Sequence, residues 1–221
     1  TDNGVFLGDN RLDSSDSDFD PQIVLRYALN PDTNFYAKYA TSWKIGGVDT
    51  GVGNIPTDPE EAQFDSEYAE IFEAGVKGRY LDGRATYEVS LFQLTFTDLQ
   101  TGTGNPDPEA EGETSIINIG EQRARGVDFS TRYAVSDQLR LGLTGTLMDA
   151  ELILFPNSGC TGFEFNSAEQ SGCDVDTGTI DRSGQTPPYS PAWAVTLDAD
   201  YWMPLFDDRY RLSLNSKLTA K

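Results

Sequence analysis

The chain has 221 residues, 36 of them acidic and 16 basic, with a formal net charge of −20 and no histidine. The missing histidine excludes Ser-His-Asp and Cys-His catalysis and His-bearing zinc sites, and the charge opposes nucleic-acid binding. No P-loop, G-x-G-x-x-G or G-x-S-x-G motif is present and no apolar window is long enough for a membrane-crossing helix, so neither an enzyme nor a cofactor is expected.

Residues 1–20 carry six acids and one arginine. Within them "DSSDSDFD" (13–20) gives Asp16, Asp18 and Asp20 the D-x-D-x-D spacing of a calcium loop. Pro21 follows where such a loop needs glycine and a later glutamate, so a solvated acidic loop leading into a strand is the reading over a metal site. From residue 20 onward the pattern has period 2. In "NFYAKYATSWKIGG" (34–47), Phe35, Ala37, Tyr39, Thr41 and Trp43 share one face, and Tyr36, Lys38, Ser42 and Lys44 the other. Such alternation marks strands with one apolar and one wet side. Strands are predicted at about 20–29, 34–44, 67–80, 84–98, 115–135, 138–152, 189–203 and 208–219. In 84–98 the apolar residues change face after Leu91. Either a bulge near Leu91-Phe92 or a strand that leaves the membrane there accounts for it.

The connections alternate in length. Residues 30–33, 81–83, 136–137 and 206–208 are tight turns, with Pro31 suited to the second position of a type I turn. Residues 45–65, 99–114 and 153–188 are long links. Together with 1–20, these links hold 20 of the 36 acids and two of the bases, leaving the strands close to neutral. Short turns at one end and long loops at the other are the habit of transmembrane β-barrels, with the turns periplasmic and the loops outside. Aromatic residues toward strand ends, such as Tyr27, Tyr80, Tyr133, Tyr201, Trp202 and Tyr210, fit the girdles of such a barrel. Gly46-Gly47 reads as a loop hinge above the wall. Cys160 and Cys173, in one polar stretch, form a loop-closing disulfide in an oxidising compartment, or two free thiols in a reducing one. Phe155, Phe163 and Phe165 either stack on a ligand or pack the long loop on itself, and Lys44 is a further ligand-contact candidate. No metal site is expected.

These pieces resemble the barrel of TonB-dependent outer-membrane receptors. The resemblance is carried, in order, by "FYAKYATSWKIGGV" (35–48), "EYAEIFEAGVKGRYLDGR" (67–84), "LFQLTFTDLQ" (91–100), "NIGEQRARGVDF" (118–129), "DAEL" (149–152) and "PYSPAW" (188–193). Ile45 and Asp128 depart from it, standing where a small or polar residue and a glutamate are usual. The resemblance implies an all-β, antiparallel up-and-down meander, eight strands of a 22-stranded barrel. Residues 1–221 are then part of a single barrel domain, with the plug domain, the TonB-contacting N-terminal segment and the closing strands expected to lie elsewhere. It also implies a place in the outer membrane of a Gram-negative bacterium, with TonB, lipid, lipopolysaccharide and a small solute as partners. The solute would be an iron–siderophore complex, a vitamin or an oligosaccharide. Two other readings stand beside it: a self-contained eight-stranded barrel of structural or adhesive role, and a soluble carbohydrate-binding sandwich.

Overall fold

A computed structural model describes residues 5–7, 10–12, 17–49, 63–104, 114–206 and 209–221. Eight long strands form one antiparallel sheet in which every strand pairs with its neighbours in chain order. They are β1 (Gln22–Asn30), β2 (Thr33–Lys44), β3 (Glu67–Tyr80), β4 (Ala85–Thr97), β5 (Glu121–Ala134), β6 (Leu139–Leu154), β7 (Trp193–Leu205) and β8 (Tyr210–Ala220). The sheet does not close on itself: β1 and β8 are its edges. A self-contained eight-stranded barrel is thereby overturned, because closure would have paired these two strands.

The turn end is held by geometry that the chain provides locally. Leu81 and Asp82 both adopt left-handed backbone with φ of 54°, the twist that a tight hairpin needs to match its strands. Neighbouring turns are then tied sideways. Arg79 pairs with Asp32, Arg84 donates to the carbonyls of Ala134 and Val135, and the Trp202 indole donates to the Asp137 carbonyl at 2.9 Å.

The sheet has one apolar face and one polar face. Phe35, Phe72, Val89, Leu147, Leu197 and Leu214 lie on the first and are all largely exposed. Among the described residues no large side chain is fully buried. A soluble sandwich would hide that face in a core, whereas a membrane wall turns it to lipid. The other face carries a polar network. The Tyr36 hydroxyl donates to Glu73 at 2.6 Å, Lys38 pairs with the same carboxylate at 3.3 Å, and Thr146 donates to Asp128 at 2.6 Å.

Two expectations are corrected, the bulge alternative in 84–98 and the single strand over 115–135. β4 keeps an unbroken register with both β3 and β5, so there is no bulge at Leu91-Phe92. The change of face is real, and Phe92, Leu94 and Phe96 point to the lumen side in an otherwise regular strand. Residues 115–135 are not one strand. Thr114–Asn118 pairs with Gln100–Gly104 as a separate ribbon, and Gly120, at φ +88°, breaks the chain before β5 begins. The long links also hold short elements: Gly47–Val48 pairs with Gln63–Phe64, and the third link holds the ribbon Ser158–Gly159/Thr179–Ile180 and two short helices, α1 (Gly162–Asn166) and α2 (Ala168–Ser171).

Candidate functional site at the loop end

The bases of the loops are clamped together by two amides. Asn118 accepts from the Asp65 N–H at 2.6 Å and donates to the carbonyls of Asp65 and Asp98, both at 2.8 Å. Gln100 donates to the carbonyls of Ile45 and Asp65 at 3.0 Å, while its own N–H donates to Glu67 at 2.8 Å. An amide with two donors and a two-lone-pair acceptor suits this task, because each side chain can satisfy several loop backbones at once. Gly46 belongs to the same junction. A Cβ there would stand 2.4 Å from the Phe64 carbonyl oxygen, so the glycine serves close backbone approach.

Above the clamp lies a small apolar cluster, with Ile119, Leu152 and Phe155 buried and Leu99 and Ile117 against them. The third loop folds over it. Arg182 N donates to the Phe155 carbonyl, Phe155 N donates to the Ser183 hydroxyl at 2.9 Å, and Leu152 exchanges backbone bonds with Gly184 and Gln185. The outer part of the loop carries the Cys160–Cys173 disulfide, with Cα atoms 6.1 Å apart. Helix α1 starts with a capping box in which Thr161 and Glu164 satisfy each other's backbone N–H. Arg182 then holds Glu164 through both carboxylate oxygens, at 3.1 and 2.8 Å. The Arg182 guanidinium, followed by the Thr161 bonds, lowers the Glu164 carboxyl from its ordinary range to about 2. Bonds from Ser183 likewise lower Asp181.

Between this loop and the Gln100–Gly104 ribbon is an open cavity of about 670 Å³. Its floor is Leu99, Leu152 and Phe155; its rim carries Thr161, Glu164, Arg182 and Pro187-Pro188. An apolar floor with a few fixed polar groups is a surface for holding a small molecule, and no nucleophile–base pair accompanies it. Of the four sequence candidates, Phe155 forms part of the floor and is 8% exposed. Phe163 and Phe165, on α1, are 82% and 47% exposed and do not line the cavity. Lys44 ends β2 opposite Glu67 and does not line the cavity. Asp18 accepts from the Phe19 N–H at 2.6 Å, Asp16 lies outside the described residues, and among the described residues no group of three metal-binding side chains stands together. Asn118, Gln100, Glu164 and Arg182 escape a reading by residue type. Only the Thr-x-x-Glu spacing at 161–164 was a legible signal for any of them.

An open meander with a lipid-facing side, tight turns at one end and interlocked loops at the other defines part of an outer-membrane β-barrel. The description "TonB dependent receptor-like, beta-barrel" matches residues 1–219. The chain belongs to this family, whose members are outer-membrane receptors that work with TonB. It is 30% identical over 132 residues to the metal-pseudopaline receptor CntO of Pseudomonas aeruginosa, covering 60% of this chain and 17% of that receptor. It is 27% identical over 133 residues to the probable TonB-dependent siderophore receptor PiuA of Acinetobacter baumannii, covering 59% of this chain and 17% of that one. The matched stretch of the chain therefore spans about a sixth of the length of these relatives. In fold it is similar to the ferric yersiniabactin uptake receptor FyuA of Yersinia pestis, with a TM-score of 0.60 at 16% identity over 93% of this chain and 27% of that one.

Proposed function

We propose that the intact protein is a TonB-dependent transporter that captures a scarce solute, foremost an iron–siderophore or related metal complex, and that this chain supplies part of its barrel wall and mouth. The cavity over Leu99, Leu152 and Phe155 is the observation that carries the reading, since it lies among loops clamped to one end of the wall. The relatives named as siderophore and metal receptors support the choice of solute. In this reading the tight turns face the periplasm and the loops face outside. A plug and a TonB-contacting segment belong to the rest of the protein, and the wall meets outer-membrane lipid and lipopolysaccharide. The acidic loops repel anionic complexes and concentrate cationic ones, because one-signed clefts focus the field and raise capture rates at low salt, which favours neutral or cationic complexes over strongly anionic ones as the solute.

The test is uptake of radioactive iron, presented in neutral, cationic and anionic siderophores, by cells with and without the intact receptor. Uptake of at least one neutral or cationic complex should require the receptor and an energised membrane. Phe155→Ala should raise its half-saturating concentration. Uptake indifferent to the receptor for every complex would refute the proposal. Protease on intact cells should cut within 153–188; cutting only after the outer membrane is opened would reverse the orientation.

A further inference from the structure

One register row on the lipid side changes chemistry along its length. Ile23, Tyr39 and Phe72 begin it, the two rings tilted against each other with centroids 4.6 Å apart. Gln93, Arg125 and Asp149 continue it on β4, β5 and β6. Arg125 bonds to Asp149 at 3.0 and 3.1 Å, and one level higher Arg123 bonds to Glu151 at 2.9 Å. Two residues below this ladder the face is apolar again: Leu91 and Leu147 are 61% and 51% exposed. The lumen side reverses at the same height, from Glu88 and Ser90 to Phe92, Leu94 and Phe96. The apolar band thus ends early on β5 and β6 and late on β2 and β3, where it reaches Trp43 and Tyr68.

The turns report the same slope independently. Thr33, beside the first turn, lies in a row that runs through Gly78, Tyr87, Thr131, Leu143 and Leu197 to Leu218. Leu218 is eight residues beyond Tyr210, the first residue of β8. A fall of eight residues over the six steps from β2 to β8 is roughly 4.5 Å per step against a strand spacing of about 4.8 Å, a tilt of about 43°. Barrel strands tilt by about 35–45°. At that tilt, the three steps from Tyr39 to Arg125 raise the row by about 10 Å toward the loop end.

We infer that the Arg123–Glu151 and Arg125–Asp149 ladder stands in the head-group layer of the outer leaflet and binds its lipid phosphates, while Tyr39 and Phe72, in the same row, lie in hydrocarbon. Both Arg125 bonds go to a single Asp149 oxygen, which leaves most of its five N–H donors for another anion. Arg125 and Asp149 are more than half exposed, and such pairs are weak enough to share. Planar guanidinium–phosphate pairing is the strong alternative. The inference rests on the loops facing outside, which the protease experiment decides separately.

The test places single spin labels at Phe72, Gln93 and Thr95 of the intact receptor in membranes whose outer leaflet is lipopolysaccharide. The two cysteines of this chain are bonded to each other, so they do not compete for label. Phe72 should collide mainly with oxygen, and Gln93 and Thr95 mainly with a water-soluble nickel chelate. Equal oxygen preference at Phe72 and Gln93 would overturn the slope. Native mass spectrometry should show Arg123→Gln/Arg125→Gln retaining several-fold less phosphorylated than dephosphorylated lipid A, relative to the unmodified receptor. Arg125→Lys, which keeps the charge but not the planar fork, should retain less than the unmodified receptor and more than the double variant. An unchanged ratio in the double variant would overturn the phosphate assignment.

Discussion

Replacing Gly120 by alanine tests how the ribbon is joined to the wall. The residue sits at φ +88°, and a Cβ there would lie 1.8 Å from the Leu154 carbonyl oxygen, where real contacts stay beyond 3.0 Å. Leu154 must retreat by more than an ångström, at the point where β5 and β6 already shift register between Glu121 and Gln122. The left-handed backbone costs an alanine about 1–2 kcal/mol. The Ile119 N–H to Leu99 carbonyl bond, 2.9 Å long, and the Leu99 N–H to Gly120 carbonyl bond, 3.4 Å long, contribute roughly 1 kcal/mol each when the junction holds. The expected loss is about 3 kcal/mol, confined to the junction because the wall strands pair independently of it. Amide hydrogen exchange in the intact receptor should therefore accelerate about a hundredfold at Leu99 and Ile119 and stay unchanged at β4 and β5 midpoints. Gly102→Ala is the control: it lies in the same ribbon and a Cβ there meets nothing within 4 Å. Unchanged exchange in Gly120→Ala, or equal acceleration in Gly102→Ala, would refute the reasoning.

Two further outcomes concern the third loop. Protein from the cell envelope should show no free thiol at Cys160 or Cys173 before reduction. Cys160→Ser/Cys173→Ser should make 153–188 more sensitive to protease while the barrel stays folded, since closing this loop contributes at most about 3 kcal/mol in the chain-entropy model; labelling of both thiols without reductant would contradict it. The Glu164 carboxyl, held at about 2 against 4.5, contributes stability that is complete above its unfolded value and disappears as pH falls through its folded one. Pepsin should therefore spare the loop at pH 4 and begin to cut as pH approaches 2, whereas Arg182→Gln should move the onset upward; coincident onsets would show that Arg182 does not hold the cap.

The wall was legible because it is repetitive. Alternation in "FYAKYATSW" and turn chemistry at Asn30-Pro31 and Asp82-Gly83 are local, and they place β2, β3 and the hairpins within a residue or two. The loop end was less legible because its order is made between segments far apart in the chain. Ile116-Ile117-Asn118-Ile119 reads as the start of β5, yet Asn118 is bound to Asp65 and Asp98 and Gly120 turns the chain away. Arg182 and Glu164, eighteen residues apart, meet only once α1 is folded. The face reversal in β4 was visible in sequence, but that it occurs in a strand of unbroken register shows only in the pairing with β3 and β5.

The amide clamp has a practical corollary. Gly104 and Thr114 are register partners at the tip of the ribbon, and Asn118 and Gln100 fix its root to three other backbones. The ribbon is thereby registered from its root as well as its tip, so a change in the length or composition of the sequence between Gly104 and Thr114 should not reach the wall strands. With the loops facing outside as proposed, it is the place to graft an epitope tag or a foreign peptide for surface display, and grafts there should leave barrel assembly at its original yield.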